Sequence, residues 1–580
     1  MPESNKRISQ MFEQMAFLCE LDNQNPFKVR AYKKAASVIS MLSEDVLDMS
    51  EDKLCEIRGI GRGILKHINE IKHTQTFSEF EELKSKYPLS LYELLNIEGL
   101  GSKRAKILYE KLGIDSIDSL VKAAKKGMIR NIDGFGEKLE KMIIESVEKG
   151  ISTKNRFLYS FAKKTANDII KYLNSCGHKK VGYAGSLRRC AETVGDIDII
   201  AIGGGKVIDD FLKFSGIERV LSAGELKSSV ILKNQMQCDL RVFEESSYGA
   251  ALCYFTGSKQ HNIRLRELAN KAGYLLNEYG LFKKSVSKEM VAGKTEEEIY
   301  KKLGMQYIPP ELREDNGEIE LALKNAIPEL VSYSDINGDA HSHTFFTDGA
   351  NSIEEIVDHL SKRYKWFFIG DHSIPLNFVN GLDFKRYTET RKELLNLSER
   401  YLGVNFDRSL ETEILKDGSL PFKPEELDKI SLVISAVHSN NRMKRDDMTA
   451  RILKAISNPY SDVIAHLTGR LIFERDEMDA DYDLIFETAS KNNTVFEING
   501  QPDRLDLKDI NVRKVKSLGL KVILSSDAHS IEQFDNIEYA LNNARRAGLT
   551  KNDIINSLGW KELNEFIKEN RTRKKQLQKG

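Results

Sequence analysis

The feature that most constrains the fold is a pattern repeated through the C-terminal half, in which short apolar runs end in histidine. The runs WFFIGDH, LVISAVH, DVIAH and VILSSDAH end at His372, His438, His466 and His529. Apolar runs this short predict buried strands, and helical stretches lie between them. Strands and helices that alternate in this way predict a parallel α/β barrel, which carries its chemistry at the C-terminal ends of the strands.

Carboxylates accompany these histidines. His341 and His343 share one face of an extended chain, and Asp348, Glu411 and Asp527 add oxygen ligands. Any one histidine at a strand end is more often structural, but six of the seven histidines beyond residue 300 follow an apolar run. Mixed imidazole and carboxylate ligands suit Mn²⁺, Zn²⁺ or Fe²⁺ better than Mg²⁺ or Ca²⁺, and such an ion activates water for hydrolysis.

A second candidate site begins in residues 183–200, YAGSLRRCAETVGDIDII. Asp196 and Asp198 alternate along an apolar strand and point the same way, so they repel each other unless a cation lies between them. The Gly-Ser turn upstream offers backbone N–H groups to an anion, and Arg188 and Arg189 add positive charge. A bare Asp-x-Asp pair is more often an exposed strand end, but the turn and the arginines favour a divalent metal with a phosphate.

A third carboxylate, Asp239, lies in the apolar strand CDLRVF. If that strand is next to the Asp196 strand, three carboxylates can hold two metal ions, which clamp both oxygens of a displacement at phosphorus. The segment YFTGS follows and leads into a helix with Asn262, Arg264 and Arg266. Its aromatic rings suit a sugar, and the amide and arginine side chains suit a base or a template strand.

The first 150 residues are predicted to form short helices, with three turns of the type Ile-x-Gly-x-Gly. Each turn precedes a helix whose first N–H groups stay free, so it can hold a phosphate of a nucleic-acid backbone without sequence preference. One such turn is more often an ordinary helix end, but three of them indicate DNA binding. The glycines concerned are Gly59, Gly61, Gly99, Gly101, Gly134 and Gly136.

Charge is unevenly distributed, although the chain is neutral overall. Residues 151–310 carry a balance of +8 and residues 311–580 a balance of −8, which predicts a polyanion-binding domain beside a domain rich in metal ligands. The 580 residues are 41% apolar and contain no apolar stretch long enough to cross a membrane. A chain of this length is expected to form several folded domains. Its six cysteines show no paired spacing, which predicts reduced thiols in a cytoplasmic protein.

With GSLRR, GDID, CDLR, YFTGS and NEYG in this order, residues 1–310 resemble the X-family DNA polymerases. The resemblance implies that Asp196, Asp198 and Asp239 bind Mg²⁺ or Mn²⁺, with Asp239 nearest the primer 3′-hydroxyl. It also implies a set of residues that bind the incoming dNTP or face the template. These are Ser186, Arg189 and Gly195 for the phosphates, Tyr254, Phe255 and Gly257 for the sugar, Asn262 for the base and Arg266 for the template side.

One departure from that family concerns a lyase that some members carry in the first domain. Those members use a lysine after the first hairpin to form a Schiff base with an abasic sugar. Here that position is His67, with Lys66 beside it, so we expect weak or absent lyase activity. Lys28 and Tyr32 do match positions on the side of the DNA 5′-phosphate.

Residues 336–570 resemble the polymerase and histidinol phosphatase (PHP) domain that is appended to bacterial and archaeal X-family polymerases. The pattern departs at Gly370, where a threonine is usual, and we expect little effect on ligation. His359 lies outside the pattern and is expected to be structural. The resemblance implies up to three ions of Mn²⁺, Zn²⁺ or Fe²⁺, held by His341, His343, Asp348, His372, Glu411, His438, His466, Asp527 and His529.

The predicted fold is multidomain, α+β and α/β. A helical helix-hairpin-helix region precedes a polymerase-beta-like nucleotidyltransferase palm and a distorted, TIM-like PHP barrel. The expected boundaries are 1–85 for a lyase-like helical domain, 86–150 for a DNA-binding region, 151–250 for the palm, 251–310 for a nucleotide-selecting subdomain, 311–335 for a linker, 336–570 for the PHP domain and 571–580 for a solvated basic tail.

These expectations describe a monomeric, cytoplasmic, template-directed DNA polymerase that fills short gaps in base excision repair and has no membrane partner. Its substrates are gapped or primed DNA and dNTPs, and the PHP domain adds a 3′–5′ exonuclease, with abasic-site cleavage or 3′-phosphate removal as further activities. Two rivals remain: a nucleotidyltransferase that acts without a template or on RNA, and a small-molecule phosphatase joined to a DNA-binding module. An inactive scaffold is disfavoured, because two complete metal sites have no packing rationale.

Overall fold

The computed structural model describes residues 3–41, 45–57, 59–97, 100–132, 134–136, 140, 143, 156–285 and 289–579. The chain divides into two compact units, Met1–Arg156 and Phe157–Gly580, close to the boundary predicted at residue 150. Each unit has its own hydrophobic core. Within the described ranges, no helix is long and apolar enough to span a bilayer.

The first unit is helical in its described residues. Ile64, Ile68 and Ile71 lie on one face of the helix Arg62–Thr74 and are buried, as amphipathic spacing requires. The helices are Glu3–Leu21, Pro26–Met41, Glu51–Glu56, Arg62–Thr74, Ser78–Lys86, Ser102–Leu112 and Ile117–Lys125.

The second unit begins with a five-stranded sheet, the palm. Its two central strands, Asp196–Ile202 and Gln237–Phe243, are parallel, and the other strand pairs are antiparallel. Ile197 and Ile199 are buried against the helix Tyr159–Ser175, so the alternate residues of that strand point away from this core. The strand order is Val181–Tyr183, Asp196–Ile202, Gln237–Phe243, Lys227–Leu232 and Ile217–Ala223.

A smaller subdomain follows the palm. It contains the antiparallel strands Tyr274–Asn277, Gly280–Lys283 and Met290–Ala292. Its core extends through Leu312 and Ile319 to Leu330, so most of the expected linker, 311–335, is not a polar connector. The apolar residues there are spaced for a short helix, and the high charge of the segment hides that spacing. The helices are Tyr248–Thr256, Lys259–Lys271, Glu296–Lys302 and Glu318–Leu323.

The C-terminal part is a nearly closed barrel of parallel strands, as predicted. A bridge between Ser342 and Ala528 joins the segments that directly follow the first and last strands. In order, the strands are Gly338–Asp339, Trp366–His372, Asn405–Glu413, Leu432–Ala436, Val463–Ile464, Val495–Asn499 and Val522–Ser525. The helices around them are Ile353–Leu360, Phe384–Asn396, Pro424–Leu427, Arg445–Ser457, Tyr482–Asn492, Asp509–Ser517, Ile537–Arg546 and Trp560–Leu577.

The expectation of a solvated tail at 571–580 is wrong for residues 571–577, which complete the last helix. Arg571 donates from Nε and Nη2 to the two oxygens of Asp462, at 2.8 and 2.5 Å. Lys574 is only 2% exposed and donates to the carbonyl oxygen of Ser461 at 2.6 Å. Both partners precede the strand Val463–Ile464, so this helix lies at the N-terminal ends of the strands.

Lys574 gives a testable dependence of stability on pH. Burial lowers its pKa to about 8, whereas an unfolded lysine titrates near 10.4. The unfolded state therefore binds more protons between these values, and stability rises with pH by about 1.5 kcal/mol from pH 8 to 9.5. Urea midpoints of the wild type and Lys574→Met should diverge over this range, and the exposed Lys568→Met variant should follow the wild type. Parallel pH profiles for the wild type and Lys574→Met would contradict this assignment.

Two candidate metal centres

Asp198 and Asp239 are direct neighbours on the two parallel palm strands. Asp196 is paired in register with Gln237 at the end of the same strand, so the three carboxylates occupy one corner of the sheet. Asp239 is only 6% exposed. Burial and the nearby charge of Asp196 raise the pKa of Asp198 to about 6. Carboxylates crowded in this way favour a bound cation.

Arg241 is part of this corner and was missed by sequence reasoning. Its Nη1 donates to Asp198 Oδ1 and its Nη2 to Asp239 Oδ2, both at 2.8 Å. The guanidinium also lies 4.4 Å from the ring centroid of Phe255. Because Arg241 follows Asp239 by two residues in a strand, the sequence alone indicates that the two side chains lie on the same face.

The Gly-Ser turn lies directly against the carboxylates. Gly185 has a φ of +63°, and a Cβ there would be 2.6 Å from Asp198 Oδ2, so glycine alone fits. Ser186 follows in the short helix Gly185–Arg188, and Gly195 immediately precedes the Asp196 strand.

The two arginines of the turn have different surroundings. Arg189 donates from Nη1 to Thr256 O at 2.5 Å and from Nε to Glu314 Oε1 at 3.0 Å. Arg188 is instead engaged by the buried Glu296, at 2.9 and 2.6 Å. The expectation that Arg188 offers charge to an anion is therefore wrong, because a carboxylate already occupies its fork.

The residues expected around the sugar and base lie together. Tyr254 and Phe255 end the helix Tyr248–Thr256, and Gly257 follows with a φ of +69°. Asn262 donates from Nδ2 to Tyr254 O at 2.6 Å, and Arg266 donates from Nε to Asn262 O at 3.3 Å. Tyr254, Asn262 and Arg266 line one small pocket.

In the first unit, two of the glycine turns precede helices whose N-termini are free of side-chain caps. Gly61 begins the helix Arg62–Thr74 and Gly101 begins Ser102–Leu112. Gly59 and Gly134 have φ values of +114° and +82°, which favour glycine. Gly136 follows in the third turn, and Gly99 lies outside the described residues.

Tyr32 and His67 belong to one polar cluster in this unit. Tyr32 donates its hydroxyl to Glu79 Oε2 at 2.9 Å and lies 3.0 Å from His67 Nε2, while Lys28 pairs with Glu79. Burial lowers the pKa of His67. The side chain of Lys66 is 74% exposed and points to a different neighbour, Glu70. His67, the residue at the position where some family members are expected to carry the Schiff-base lysine, thus lies inside this cluster, and Lys66 lies outside it.

In the barrel, all nine predicted ligands converge at the C-terminal ends of the strands. Glu411 is central: its oxygens lie 2.7 Å from His372 Nδ1, 3.0 Å from His438 Nε2 and 2.9 Å from His466 Nε2. Three overlapping groups have the spacing of metal ligands. They are His343, Asp348, His372 and His529; His341, His343 and Asp527; and His372, Glu411 and His438.

The charges in this cluster are strongly coupled. Burial opposes charge on Glu411, but His372 and His438 hold its pKa well below the ordinary value. Burial likewise lowers the pKa of His372, but Glu411 and Asp348 outweigh it and raise that pKa to about 10. A cation that entered the site would displace such protons.

The orientation of these groups fits a metal ion better than an ordinary hydrogen-bond network. His343 Nδ1 and Asp348 Oδ1 are buried and 3.5 Å apart, and neither makes a hydrogen bond. His372 Nδ1 and Glu411 Oε2 approach to 2.7 Å, and neither makes a well-aligned hydrogen bond. Two donor atoms that lie close together without a hydrogen bond between them can both bind one cation. The mixture of nitrogen and oxygen donors suits Mn²⁺, Zn²⁺ or Fe²⁺.

Two further carboxylates, not predicted from the sequence, orient the histidines. Glu497 accepts from His341 Nδ1 at 2.6 Å and from the His466 backbone N–H at 2.8 Å. Glu413 lies 2.9 Å from His438 Nδ1 and accepts from the buried Arg451 at 3.1 Å. Acidic residues within apolar strands were the available signal, because a buried charge needs a partner.

The departure at Gly370 has a local compensation. A Cβ there would collide with Ser409 Oγ, which donates to Ala340 O at 3.0 Å. Serine on the neighbouring strand thus fills the space of the usual threonine. His359 lies apart from the cluster in the helix Ile353–Leu360, where its ring stacks on Phe534 at 5.6 Å.

Comparison with known proteins places these centres in a family. A helix-hairpin-helix domain matches residues 3–77, a SAM-like helix-hairpin-helix tandem matches 91–149, and a DNA polymerase beta thumb matches 251–314. The chain is 34% identical over 572 residues to the DNA polymerase/3'-5' exonuclease PolX of Bacillus subtilis (strain 168), covering 97% of this chain and 99% of that protein. The chain belongs to the X family of DNA polymerases.

Other relatives match parts of this X-family chain. DNA polymerase lambda of Arabidopsis thaliana is 24% identical over 356 residues, 54% of this chain and 62% of that protein. A probable phosphatase of Thermoanaerobacter sp. (strain X514) is 28% identical over 183 residues, 30% of this chain and 72% of that protein. The predicted family and fold are confirmed, and the C-terminal barrel is the PHP barrel.

Proposed function

We propose that this X-family chain is a template-directed DNA polymerase that fills short gaps and carries a metal-dependent 3′–5′ exonuclease in its PHP barrel. The observation that supports the proposal is that one chain brings together two separate clusters of side chains of the types that bind metal ions. A carboxylate corner suits nucleotidyl transfer, and a histidine-rich cluster suits phosphodiester hydrolysis. Repair of damaged bases, abasic-site cleavage and 3′-phosphate removal are finer forms of the same proposal.

In the palm, Asp196, Asp198 and Asp239 would hold Mg²⁺ or Mn²⁺, which stabilises charge at the transferred phosphorus. Arg189 and the Ser186 turn would hold the dNTP phosphates, so Arg189 would exchange Glu314 for phosphate. Tyr254, Phe255 and Gly257 would face the sugar, with Asn262 and Arg266 at the base and template. Gly185 keeps the phosphate-binding turn close to Asp198.

In the barrel, the nine clustered side chains would hold up to three ions of Mn²⁺, Zn²⁺ or Fe²⁺, which would supply the nucleophile for hydrolysis. Glu497 and Glu413 fix the ring orientations of His341 and His438 through Nδ1. DNA would also contact the free helix N-termini at Gly61 and Gly101.

The deciding experiment uses a labelled, gapped duplex with Mg²⁺ or Mn²⁺, with and without dNTPs. We expect extension limited by the gap when dNTPs are present, and shortening from the 3′ end when they are omitted. Extension of single-stranded DNA or RNA without a template would favour the rival nucleotidyltransferase instead.

A second candidate for the barrel is a phosphatase of small phosphomonoesters. It is favoured by the similarity to the Thermoanaerobacter probable phosphatase. Hydrolysis of p-nitrophenyl phosphate without any shortening of DNA would select this alternative.

We predict weak or absent abasic-site lyase activity in the first unit. His67 is buried at the position of the Schiff-base lysine, and the exposed Lys66 lies outside the cluster formed with Tyr32. Incubation with DNA carrying a 5′ abasic sugar, followed by borohydride, should yield little or no covalent adduct. An adduct that is formed by the wild type and lost in Lys66→Ala would show the prediction to be wrong.

A further inference from the structure

Three arginines at the mouth of the barrel have no part in the candidate metal centre. Arg442 follows His438 by four residues, Arg475 follows His466 by nine, and Arg504 follows the end of the strand Val495–Asn499 by five. The loops that follow parallel strands meet at one end of a barrel. The three arginines therefore lie on the same side as the histidine cluster, on three different loops.

Hydrogen bonds to backbone carbonyl oxygens hold two of these loops together. Ile472 N donates to Asp503 O at 2.6 Å, and Arg475 Nε donates to Gly469 O at 2.8 Å. The buried Arg470 donates to Leu505 O at 2.6 Å. The segments that carry Arg475 and Arg504 are therefore fixed against each other.

The positive charges of these arginines interact. Desolvation lowers the pKa of the Arg475 guanidinium, and the charges of Arg504 and Arg442 lower it further. The nearby carboxylates of Glu474 and Asp503 act in the opposite direction and raise that pKa. Within the described part of the chain, no carboxylate forms a salt bridge with any of the three, whereas Arg470 pairs with Glu192 at 2.7 Å. Guanidinium groups that lie near one another and outside any salt bridge keep N–H groups available for a phosphate.

Exposed aromatic rings lie on two of the loops at this end of the barrel. Phe473 is 61% exposed between Arg470 and Arg475, with a φ of +70°. Phe345 is 51% exposed and follows His343 by two residues. Rings of this kind beside arginines match the way proteins hold single-stranded DNA, by stacking bases while cations follow the backbone.

We propose that Arg442, Arg475, Arg504 and Phe473 form a track that binds a single-stranded 3′ end of DNA and leads it to the PHP metal centre. The arginines contact backbone phosphates upstream of the terminal nucleotide, and Phe473 stacks on a base. The inference rests on the proposed exonuclease and adds its substrate class. A small phosphomonoester has a single phosphate, which would lie at the metal centre. It therefore has no further phosphate that the track could bind.

The test uses the full chain with Mn²⁺ and single-stranded DNA, either a dinucleotide or an oligonucleotide of about 12 residues, a length within known site sizes. The variants are Arg442→Ala, Arg475→Ala, Arg504→Ala and Phe473→Ala. The matched control is Arg573→Ala, an exposed arginine in the helix at the opposite end of the barrel. Metal content and thermal midpoint check that each variant is folded.

The wild type should prefer the oligonucleotide, and each variant should raise its KM by about tenfold. Each arginine variant should also reduce the salt dependence of KM by about one unit of slope. Because the dinucleotide does not reach the track, the preference for length should collapse in the variants and persist in Arg573→Ala.

Two results would overturn the track. One is an unchanged preference for length in all four variants while the wild type degrades DNA. In that case the proposed exonuclease stands and the track alone is wrong. The other is an equal loss in Arg573→Ala, which means that overall charge is responsible. A wild type that hydrolyses phosphomonoesters alone removes both the proposed exonuclease and the track.

Discussion

Changing Asp239 to asparagine is expected to abolish primer extension and to leave degradation of the same DNA intact. Asp239 is 6% exposed and paired in register with Asp198, so the change removes one charge from the corner and keeps its shape. Losing a ligand for metal ions that contribute several kcal/mol corresponds to a loss in rate of roughly 10³-fold. Single-nucleotide incorporation on a gapped duplex measures the loss, and shortening without dNTPs measures what remains.

Asp209→Asn is the matched control, because Asp209 is exposed on the helix Gly205–Phe211 of the same palm. It should extend primers at the wild-type rate. If Asp239→Asn still incorporates nucleotides within tenfold of the wild type, the three-carboxylate assignment fails. If it loses the nuclease as well, the two activities share one centre, and the division between palm and barrel is wrong.

The sequence predicts the ligand sets well because alternation along a strand is a geometric rule. Asp196 and Asp198 had to share a face once the strand was recognised, and the strand-end histidines had to gather once the barrel was parallel. The structure adds the pairing of Asp198 with Asp239, which depends on strand order in the sheet. Strand order is a long-range property that no local pattern states.

Residues that act through others were harder to predict. Glu413 and Glu497 contact the histidines through Nδ1, and Arg241 bridges Asp198 and Asp239. Their partners are distant in the chain or hidden by strand order, so an isolated charge in an apolar strand was the only local sign. Arg188 shows the opposite error. Its positive charge is evident from the sequence, but its ion-pair partner Glu296 lies 108 positions away and could not be predicted.

The misassigned segments share one cause. Residues 311–335 and 571–580 are rich in charge, and composition alone predicts that they are solvated. Spacing decides instead, because Leu563, Ile567 and Lys574 fall on one face of the last helix and are buried. Lysine can be buried at its stem when the ammonium reaches a carbonyl, as Lys574 does with Ser461.

The second large effect is expected for Glu411→Gln, which should abolish DNA shortening and leave gap filling at the wild-type rate. Glu411 lies within 3.0 Å of His372, His438 and His466, so it contacts three of the other predicted ligands directly. Glutamine keeps the shape but removes the charge that raises the pKa of His372. We expect a loss of at least about 10³-fold in exonuclease rate, together with a lower content of bound metal.

The metal content separates a chemical role from a structural one. Glu399→Gln, at an exposed carboxylate of the same domain, should retain both metal and nuclease activity. A Glu411→Gln protein that keeps its full metal complement and its nuclease would remove Glu411 from the centre, while wild-type extension in the same sample would prove that the chain is folded. Taken with Asp239→Asn, the result decides whether synthesis and degradation occupy separate sites, since each variant should lose only the activity that the other retains.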